Sequence, residues 1–272
     1  MAYKRILTIQ DISCVGHCSM AVAFPVLSVC GHETCMLPSK LLSTHTGGFG
    51  QPSVTDLSAA MPQIAAHWQQ QGITFDAVLV GYLGSAAAVR CVESCVDSLL
   101  APGGKLIVDP AMADHGRLYS GLEEEYAQAM IRLCMRADVM LPNLTEAAMM
   151  AGVPYRDDLD PEAVDALLER LGGKTVILTG VGATPEETGA AVRTEQGILR
   201  YSHRRVERGF HGTGDLFAAC FTGAWLRGLS LFDAVKVAAD FTLLCIEDTW
   251  RDPAHWYGVK FEPSLPQLMR ML

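Results

Sequence analysis

The stretch FHGTGDLFAACFTGAW, Phe210 to Trp225, decides how this chain is read. It opens with Gly212-Thr213-Gly214-Asp215 and then runs apolar from Leu216 to Leu226, interrupted only by Thr222 and Gly223. A segment apolar on every face predicts a buried helix rather than an amphipathic surface one. A Gly-Thr-Gly turn at its start leaves several backbone N–H groups unpaired and aimed at one spot. Together with the positive end of the helix dipole, they favour an anion, most often a phosphate. Glycines at 212 and 214 let the backbone come close to a ligand with no Cβ in the way. Asp215 falls in the first turn, where the dipole is expected to keep its carboxylate ionised. A carboxylate beside an anion hole repels a phosphate that is merely held. It makes sense facing a hydroxyl that is about to attack the phosphate. The simpler alternative, that Asp215 only caps the helix, stays open at this level.

Working outward, strands and helices alternate over the first 180 residues. KRILTIQ, residues 4–10, reads as a buried first strand ended by Asp11, and a helix is expected from His17 to Cys30 with Gly31 closing it. A short strand is expected over Thr34–Pro38. LLSTHTGGFGQP, Leu41 to Pro52, has the composition of a loop or flap over a site, and Ser53 is expected to start a helix that runs to Gln71. Further strands are expected at Phe75–Gly84 and Gly103–Asp114, a short one before Pro142, and a β-branched one ending at Thr179-Gly180. Helices should cover Ser85–Leu100, Leu122–Arg136, the segment opened by Asn143, and the one opened by Asp160-Pro161. A hairpin turns at Gln196-Gly197, and helices over Ser230–Thr249 and Pro263–Leu272 follow the glycine turn.

This alternation predicts an α/β fold, a mostly parallel central sheet with helices on both faces, in one domain spanning 1–272. In such sheets a ligand sits outside the carboxyl ends of the strands. Asp11, Tyr82, Asp109, Asn143 and Thr179 all fall there. No G-x-G-x-x-G follows the first strand and no G-x-x-x-x-G-K-[ST] occurs, which disfavours a dinucleotide site and a P-loop.

Composition narrows the function classes. Of 272 residues half are apolar, 19% are charged, and the net charge is −9 with no basic run, so no nucleic-acid groove is expected. No apolar run approaches the roughly 18 residues of a membrane span, and MAYKRILTIQD reads as a strand rather than a signal peptide. A cytoplasmic protein is expected. Nine cysteines, an odd number without CxxC pairs, argue against a disulfide framework and a zinc site and are read mostly as small buried hydrophobes.

With Gly212-Thr213-Gly214-Asp215, Asn143-Leu144-Thr145-Glu146, Asp109-Pro110 and His45-Thr46-Gly47, the chain resembles the ribokinase-like superfamily, and within it the pyridoxal/pyridoxamine kinases. The resemblance covers nearly the whole chain, with GHCSMAVAFPVLSVCG, Gly16 to Gly31, supporting it. It implies a three-layer sandwich, a homodimer, and ATP- and Mg²⁺-dependent phosphorylation of the 5′-hydroxymethyl group of a B6 vitamer, in salvage of pyridoxal phosphate. A monovalent cation is a further candidate cofactor. Asp215 would accept the hydroxymethyl proton, and Gly212, Thr213 and Gly214 would form the anion hole. Glu146 would serve the magnesium, through water, with Asn143 facing the phosphates beside it. The same Asn and Glu could equally be a capping box. Asp109 and Asp114 would act on metal or phosphate-bound water, although Asp109-Pro110 also suits a plain turn. Thr179 would meet ATP phosphates and Tyr119 would belong to a flap. Thr46, Tyr82 and His211 would line the vitamer, and His17 and His45 are motif members whose role is read as structural.

The departures from the family are informative. Asp11 stands where pyridoxal kinases carry a Ser against the ring, and a carboxylate there favours a protonated ring nitrogen or a cationic amine. Leu42 replaces an aromatic residue and Leu141 a Thr. Two other readings stand beside the first. A hydroxymethylpyrimidine kinase shares the fold and chemistry, but that family commonly has Cys in place of Asp215. A non-catalytic B6- or nucleotide-binding relative would have no physical need for Asp215 with both glycines. Sugar kinases and hydrolases fit less well, for want of a lid with paired glycines and of a nucleophile with a base.

Overall fold

In the computed structural model, which describes residues 3–272, nine strands form one sheet in the order β11-β10-β9-β8-β5-β4-β1-β2-β3. The central strands are β1 (Arg5–Ser13), β2 (Glu33–Leu42), β4 (Phe75–Val80), β5 (Leu100–Val108), β8 (Val139–Met140) and β9 (Thr175–Thr179). All neighbouring pairs among them are parallel. Antiparallel strands finish both edges: β3 (Val54–Asp56) on one, and the hairpin β10 (Glu187–Thr194) with β11 (Gly197–Arg204) on the other. Strand β1 is buried on both faces, as its near-continuous apolar run requires.

Successive side chains of each strand go to opposite layers, so two cores form. Leu7, Ile9, Val78, Val80 and Val108 face α2 (Met61–Gln70), α3 (Ala86–Leu99), α4 (Glu124–Arg136) and α6 (Pro161–Arg170). Ile6, Ala77, Leu79, Ile107 and Ile177 face α1 (Met20–Val29), α7 (Thr213–Leu226), α8 (Leu231–Trp250) and α9 (Leu265–Met271). Helix α7 is buried continuously from Leu216 to Ala224, which is why its sequence shows no polar face. Helix α5 (Leu144–Ala151) starts on Asn143 and stops on Gly152, whose φ of 65° is the left-handed conformation that ends helices.

Three expectations need correction. The helix begins at Met61, not Ser53: Val54–Asp56 instead lengthens the sheet by pairing with Lys40–Leu42. Those residues therefore belong to β2, which runs ten residues rather than five, and the loop begins only at Ser43. The strand expected to reach Asp114 ends at Val108. Beyond it Ala113–Asp114 (β6) and Arg117–Leu118 (β7) make a separate two-stranded flap. All nine cysteines are free and six are buried. Among the described residues no helix is long and apolar enough to cross a membrane.

Candidate active site

The carboxyl ends of the parallel strands are laced together by backbone hydrogen bonds, and this sets the polar residues side by side. Asp11 N donates to Tyr82 O at 3.0 Å, Asp109 N to Val80 O at 2.9 Å, Leu141 N to Val108 O at 2.9 Å, and Thr179 N to Pro142 O at 3.0 Å. Thr179, Asn143, Asp109, Tyr82 and Asp11 thus form one rim in the order of the strands that carry them.

The head of α7 is pressed onto this rim. Gly212 has φ 82°, and a Cβ there would lie 1.8 Å from His17 O. The close approach this glycine permits is thus to the protein's own backbone, not only to a ligand. Gly214 lies over Asp109, whose Oδ2 would be 3.9 Å from a Cβ at that position. Thr213 turns its hydroxyl back to Phe210 O at 3.1 Å. Asp215 follows, half-buried, and desolvation lifts its carboxyl to about 6, with the Ser19 N–H opposing the rise and the charge of Asp11 adding to it. The dipole was expected to keep this carboxylate ionised, and at about 6 it is still ionised at neutral pH, although desolvation and a second acid lift it against the dipole.

Two more acids sit close by. Asp109 accepts Ala111 N on Oδ1 at 3.1 Å, and burial, then Glu146 and Asp215, push its carboxyl well up. Glu146 is 1% exposed. Its Oε1 accepts Met112 N at 2.8 Å and its Oε2 accepts Asn143 N at 2.9 Å, while Asn143 Oδ1 accepts Glu146 N at 3.0 Å. This is a complete capping box, and Asn143 Nδ2 is also engaged, on Ala113 O at 2.8 Å. Neither side chain stands free toward a phosphate as the spacing suggested, because each has backbone partners that the fold itself supplies. Burial raises Glu146 to about 7 against the N–H groups of Asn143, Met112 and Ala113. Tyr119, on the flap, is pushed up first by burial and then by the charges of Glu146, Asp109, Asp114 and Asp215, so it overlooks this group of acids. Asp114 is exposed on the same flap and accepts His115 N at 2.8 Å.

On the other side of Asp215 lies a second group of residues, around Asp11. Asp11 is 3% exposed, with Ser13 Oγ donating to its Oδ2 at 3.2 Å. Tyr82 is half-buried, its hydroxyl raised to about 12 by burial and by Asp11. Burial raises the Cys18 thiol, and the charges of Asp215 and Asp11 both reach it. Thr46 is exposed in the HTG loop. His45 next to it is fully engaged, Nδ1 accepting Gly47 N at 2.9 Å and Nε2 donating to Tyr257 O. The His211 ring packs flat against Gly47, where a Cβ would meet its Nε2 at 2.3 Å, and lies 5.0 Å from the His45 ring.

That group has a wall which sequence reading missed: HWYGVKF, residues 255–261. The Trp256 ring lies tilted against Phe49, centroids 4.8 Å apart, His17 Nδ1 donates to Val259 O at 2.9 Å, and Val259 N donates to His211 O at 3.0 Å. Four aromatic or histidine residues among seven was the available signal. Lys40 was also missed; its Nζ holds Gly84 O at 2.9 Å and its charge reaches Asp11. A separate cavity of about 350 Å³, lined by Arg204 to Glu207 and by Glu247, Trp250 and Arg251, lies between the segment entering the anion hole and the last turn of α8.

Residues 41–258 match the family described as phosphomethylpyrimidine kinase. The hydroxymethylpyrimidine/phosphomethylpyrimidine kinase of Haemophilus influenzae is 30% identical over 61% of this chain, which spans 63% of that enzyme's length. The pyridoxal kinase PdxY of Corynebacterium diphtheriae is 28% identical over 90% of this chain and 89% of its own. The structure of pyridoxal kinase from Lactobacillus plantarum superposes with a TM-score of 0.90 at 34% identity, covering 99% of this chain and 98% of that one. A Bacteroides thetaiotaomicron protein described as a phosphomethylpyrimidine kinase, crystallised with pyridoxal, gives 0.91 at 32%, covering 98% and 96%.

Proposed function

This chain belongs to the phosphomethylpyrimidine kinase family, whose ribokinase-like sandwich it carries, and we propose that it phosphorylates the 5′-hydroxymethyl group of a B6 vitamer with ATP. The observation that carries the reading is Asp215, a carboxylate lifted to about 6 and set one residue beyond the Gly212–Gly214 anion hole. A base poised just below neutral pH is ionised in working conditions yet can still take a proton.

The residues divide the work as follows. Asp215 accepts the hydroxymethyl proton as that oxygen forms its bond to the terminal phosphorus of ATP. The bond from that phosphorus to the bridging oxygen breaks, and ADP leaves with the electron pair. The N–H groups of Gly212, Thr213 and Gly214 and the α7 dipole hold the charge on the equatorial oxygens. Tyr82, Thr46 and His211 border the vitamer, and Asp11 stands at the inner end. Thr179 lies on the nucleotide side of the rim, and Asp114 and Tyr119 approach from the flap. The 350 Å³ cavity beyond α8 offers room for the nucleoside.

The acids fit a divalent cation. The charges of Glu146 and Asp215 both raise the Asp109 carboxyl, Asp114 adds to the rise of Glu146, and none of these acids but Asp114 is in an ion pair among the described residues. Among the described residues no three His, Cys, Asp or Glu side chains converge tightly enough to hold a metal unaided. Mg²⁺ would therefore be held by Asp109 directly and Glu146 through water, with phosphate oxygens completing the shell, and it would supply charge neutralisation. We extend the reading to a single domain over 1–272, acting as a homodimer in the cytoplasm.

The 30% identity to the Haemophilus enzyme favours a second reading, phosphorylation of hydroxymethylpyrimidine. ADP release from Mg-ATP with pyridoxal, pyridoxine, pyridoxamine and hydroxymethylpyrimidine separates the two. Turnover with a pyridine substrate is expected; turnover with the pyrimidine alone moves the chain to the second reading, and none with any of the four removes both.

A further inference from the structure

Asp11 is a buried acid with one oxygen that no hydrogen bond satisfies. Its Oδ2 accepts Ser13 Oγ, but Oδ1 is buried without a hydrogen-bond partner. Lys40 on β2 is the cation whose charge reaches it, and that Nζ is held on Gly84 O. The other groups facing it are the Ser19 hydroxyl at the head of α1, Cys18, Tyr82 at the end of β4, and Asp215 on α7. None of these is a cation, and Asp215 is a second anion. Burial lifts the Asp11 carboxyl above the usual range, against the pull of Ser19 and Ser13. Buried acceptors without a partner are rare in native proteins. One beside a catalytic base marks the place of a ligand atom.

We propose that Asp11 recognises the substrate's ring nitrogen, sharing one proton with it through Oδ1, and that this contact selects pyridine over pyrimidine rings. The assignment rests on the kinase reading above. A single orphaned oxygen matches the single N–H of a ring more closely than a primary ammonium, which brings three donors. A 3-hydroxypyridine holds a proton on its ring nitrogen in neutral water because the hydroxyl can supply the balancing charge. An aminopyrimidine nitrogen binds a proton more weakly. A carboxyl raised by burial is a closer match to the pyridine nitrogen, and the resulting bond is charge-assisted.

The ultraviolet spectrum of bound pyridoxine tests this, since its ring-protonated and ring-neutral forms absorb differently. In complex with the wild-type protein the ring-protonated band is expected to persist about one pH unit or more beyond the point where free pyridoxine loses it. In Asp11→Asn that extension disappears. The same variant should lose about 10- to 100-fold in kcat/KM for pyridoxine, the range for one charge-assisted bond, and its preference over hydroxymethylpyrimidine should shrink in step. Asp11→Ser provides a second variant with no amide to mimic the carboxyl. A wild-type complex whose ring titrates as it does in free solution overturns the assignment, even if the protein phosphorylates pyridoxine. Equal losses on pyridine and pyrimidine in Asp11→Asn overturn the selectivity. A wild-type protein that phosphorylates none of the rings removes the kinase reading and this assignment with it, a result distinct from the other two.

Discussion

Ser19 presents its backbone N–H to the carboxylate of Asp215, and it does so from a φ of 53°. Its hydroxyl approaches Asp11, so one residue at the head of α1 touches both acids of the substrate side. Positive φ is rare for a side chain other than glycine's, and it costs about 1–3 kcal/mol where the surroundings impose it. The two other such residues among those described, Ala111 at 39° and His115 at 49°, follow Asp109 and Asp114. Strain of this kind collects where side chains are held for chemistry, and all three instances lie on one crevice.

The first prediction concerns Asp215 as base. Asp215→Ala should cut turnover by about 10²- to 10⁴-fold while ATP still binds. In the wild type, kcat/KM should fall as pH drops through about 6, where the proton occupies the base. The stability effect has the opposite sense. The folded chain keeps this proton up to about pH 6, while an unfolded Asp releases it near 3.8. The folded state therefore binds more protons between these values, and stability declines as pH rises through that window and stays low above it. Asp215→Asn, which cannot charge, should melt higher than wild type at pH 8, by up to about 3 kcal/mol, with the gap closing toward pH 4. A variant with near-normal turnover would show that the base is elsewhere.

The two glycines of the anion hole should respond differently to a methyl group. Gly212→Ala forces a Cβ against His17 O at a residue with φ 82°, so both sterics and backbone oppose it. A loss of several kcal/mol in unfolding free energy, on the order of 3 or more, is expected. Gly214→Ala meets nothing closer than Asp109 Oδ2 at 3.9 Å and sits inside a helix. Its melting point should hold within about 1 kcal/mol while turnover drops, because the methyl occupies the space between Asp109 and the phosphoryl. Equal melting points for the two variants would show that the glycines do the same job.

How far the site was legible depended on the range of the contacts involved. Helix α7 and the capping box of Asn143 and Glu146 follow local rules, and both could be read from a few neighbouring residues. The strand-end rim could be read because parallel sheets place such residues together by topology. Residues 53–57 were misread as helix because their polar sequence has no period of its own; what makes them a strand is the free edge of β2. Likewise the raised carboxyls and the wall at 255–261 arise from contacts between residues far apart in the chain, such as His45 with Tyr257, 212 positions on, and no local pattern encodes them.

Glu146 should prove to be structural as well as metal-linked. Its two oxygens accept N–H groups from Met112, Ala113 and Asn143. In Glu146→Gln one of those oxygens becomes an NH₂ that faces a donor instead of accepting from it. A loss of about 1–3 kcal/mol is expected, together with a higher Mg²⁺ concentration for half-maximal rate. Calorimetry and a Mg²⁺ titration read the two effects separately. An unchanged titration would leave Glu146 with the capping role alone.

The wall at residues 255–261 should loosen with rising pH. His17 Nδ1 lies 2.9 Å from Val259 O and Nε2 lies 3.0 Å from Glu262 Oε1, and both partners are acceptors. Only the doubly protonated ring can donate to both. The Glu262 hydrogen bond accordingly raises the His17 value above 6.5, more than burial lowers it, while the neighbouring His255 is lowered by burial first and then by the charge of His17. A raised folded value means the clamp stabilises fully below pH 6.5, the unfolded value, and is lost as pH climbs through the folded one. The Glu262 side chain is 50% exposed, so solvent screens the pair and about 0.5–1 kcal/mol is a fitting magnitude. Glu262→Gln should therefore melt below wild type at pH 6 and converge with it by about pH 9, where the ring is neutral in both. Amide exchange at Tyr257 to Val259 should quicken over the same range in the wild type only. A melting difference that stays constant with pH would show that Glu262 acts by packing and that His17 is not charged there.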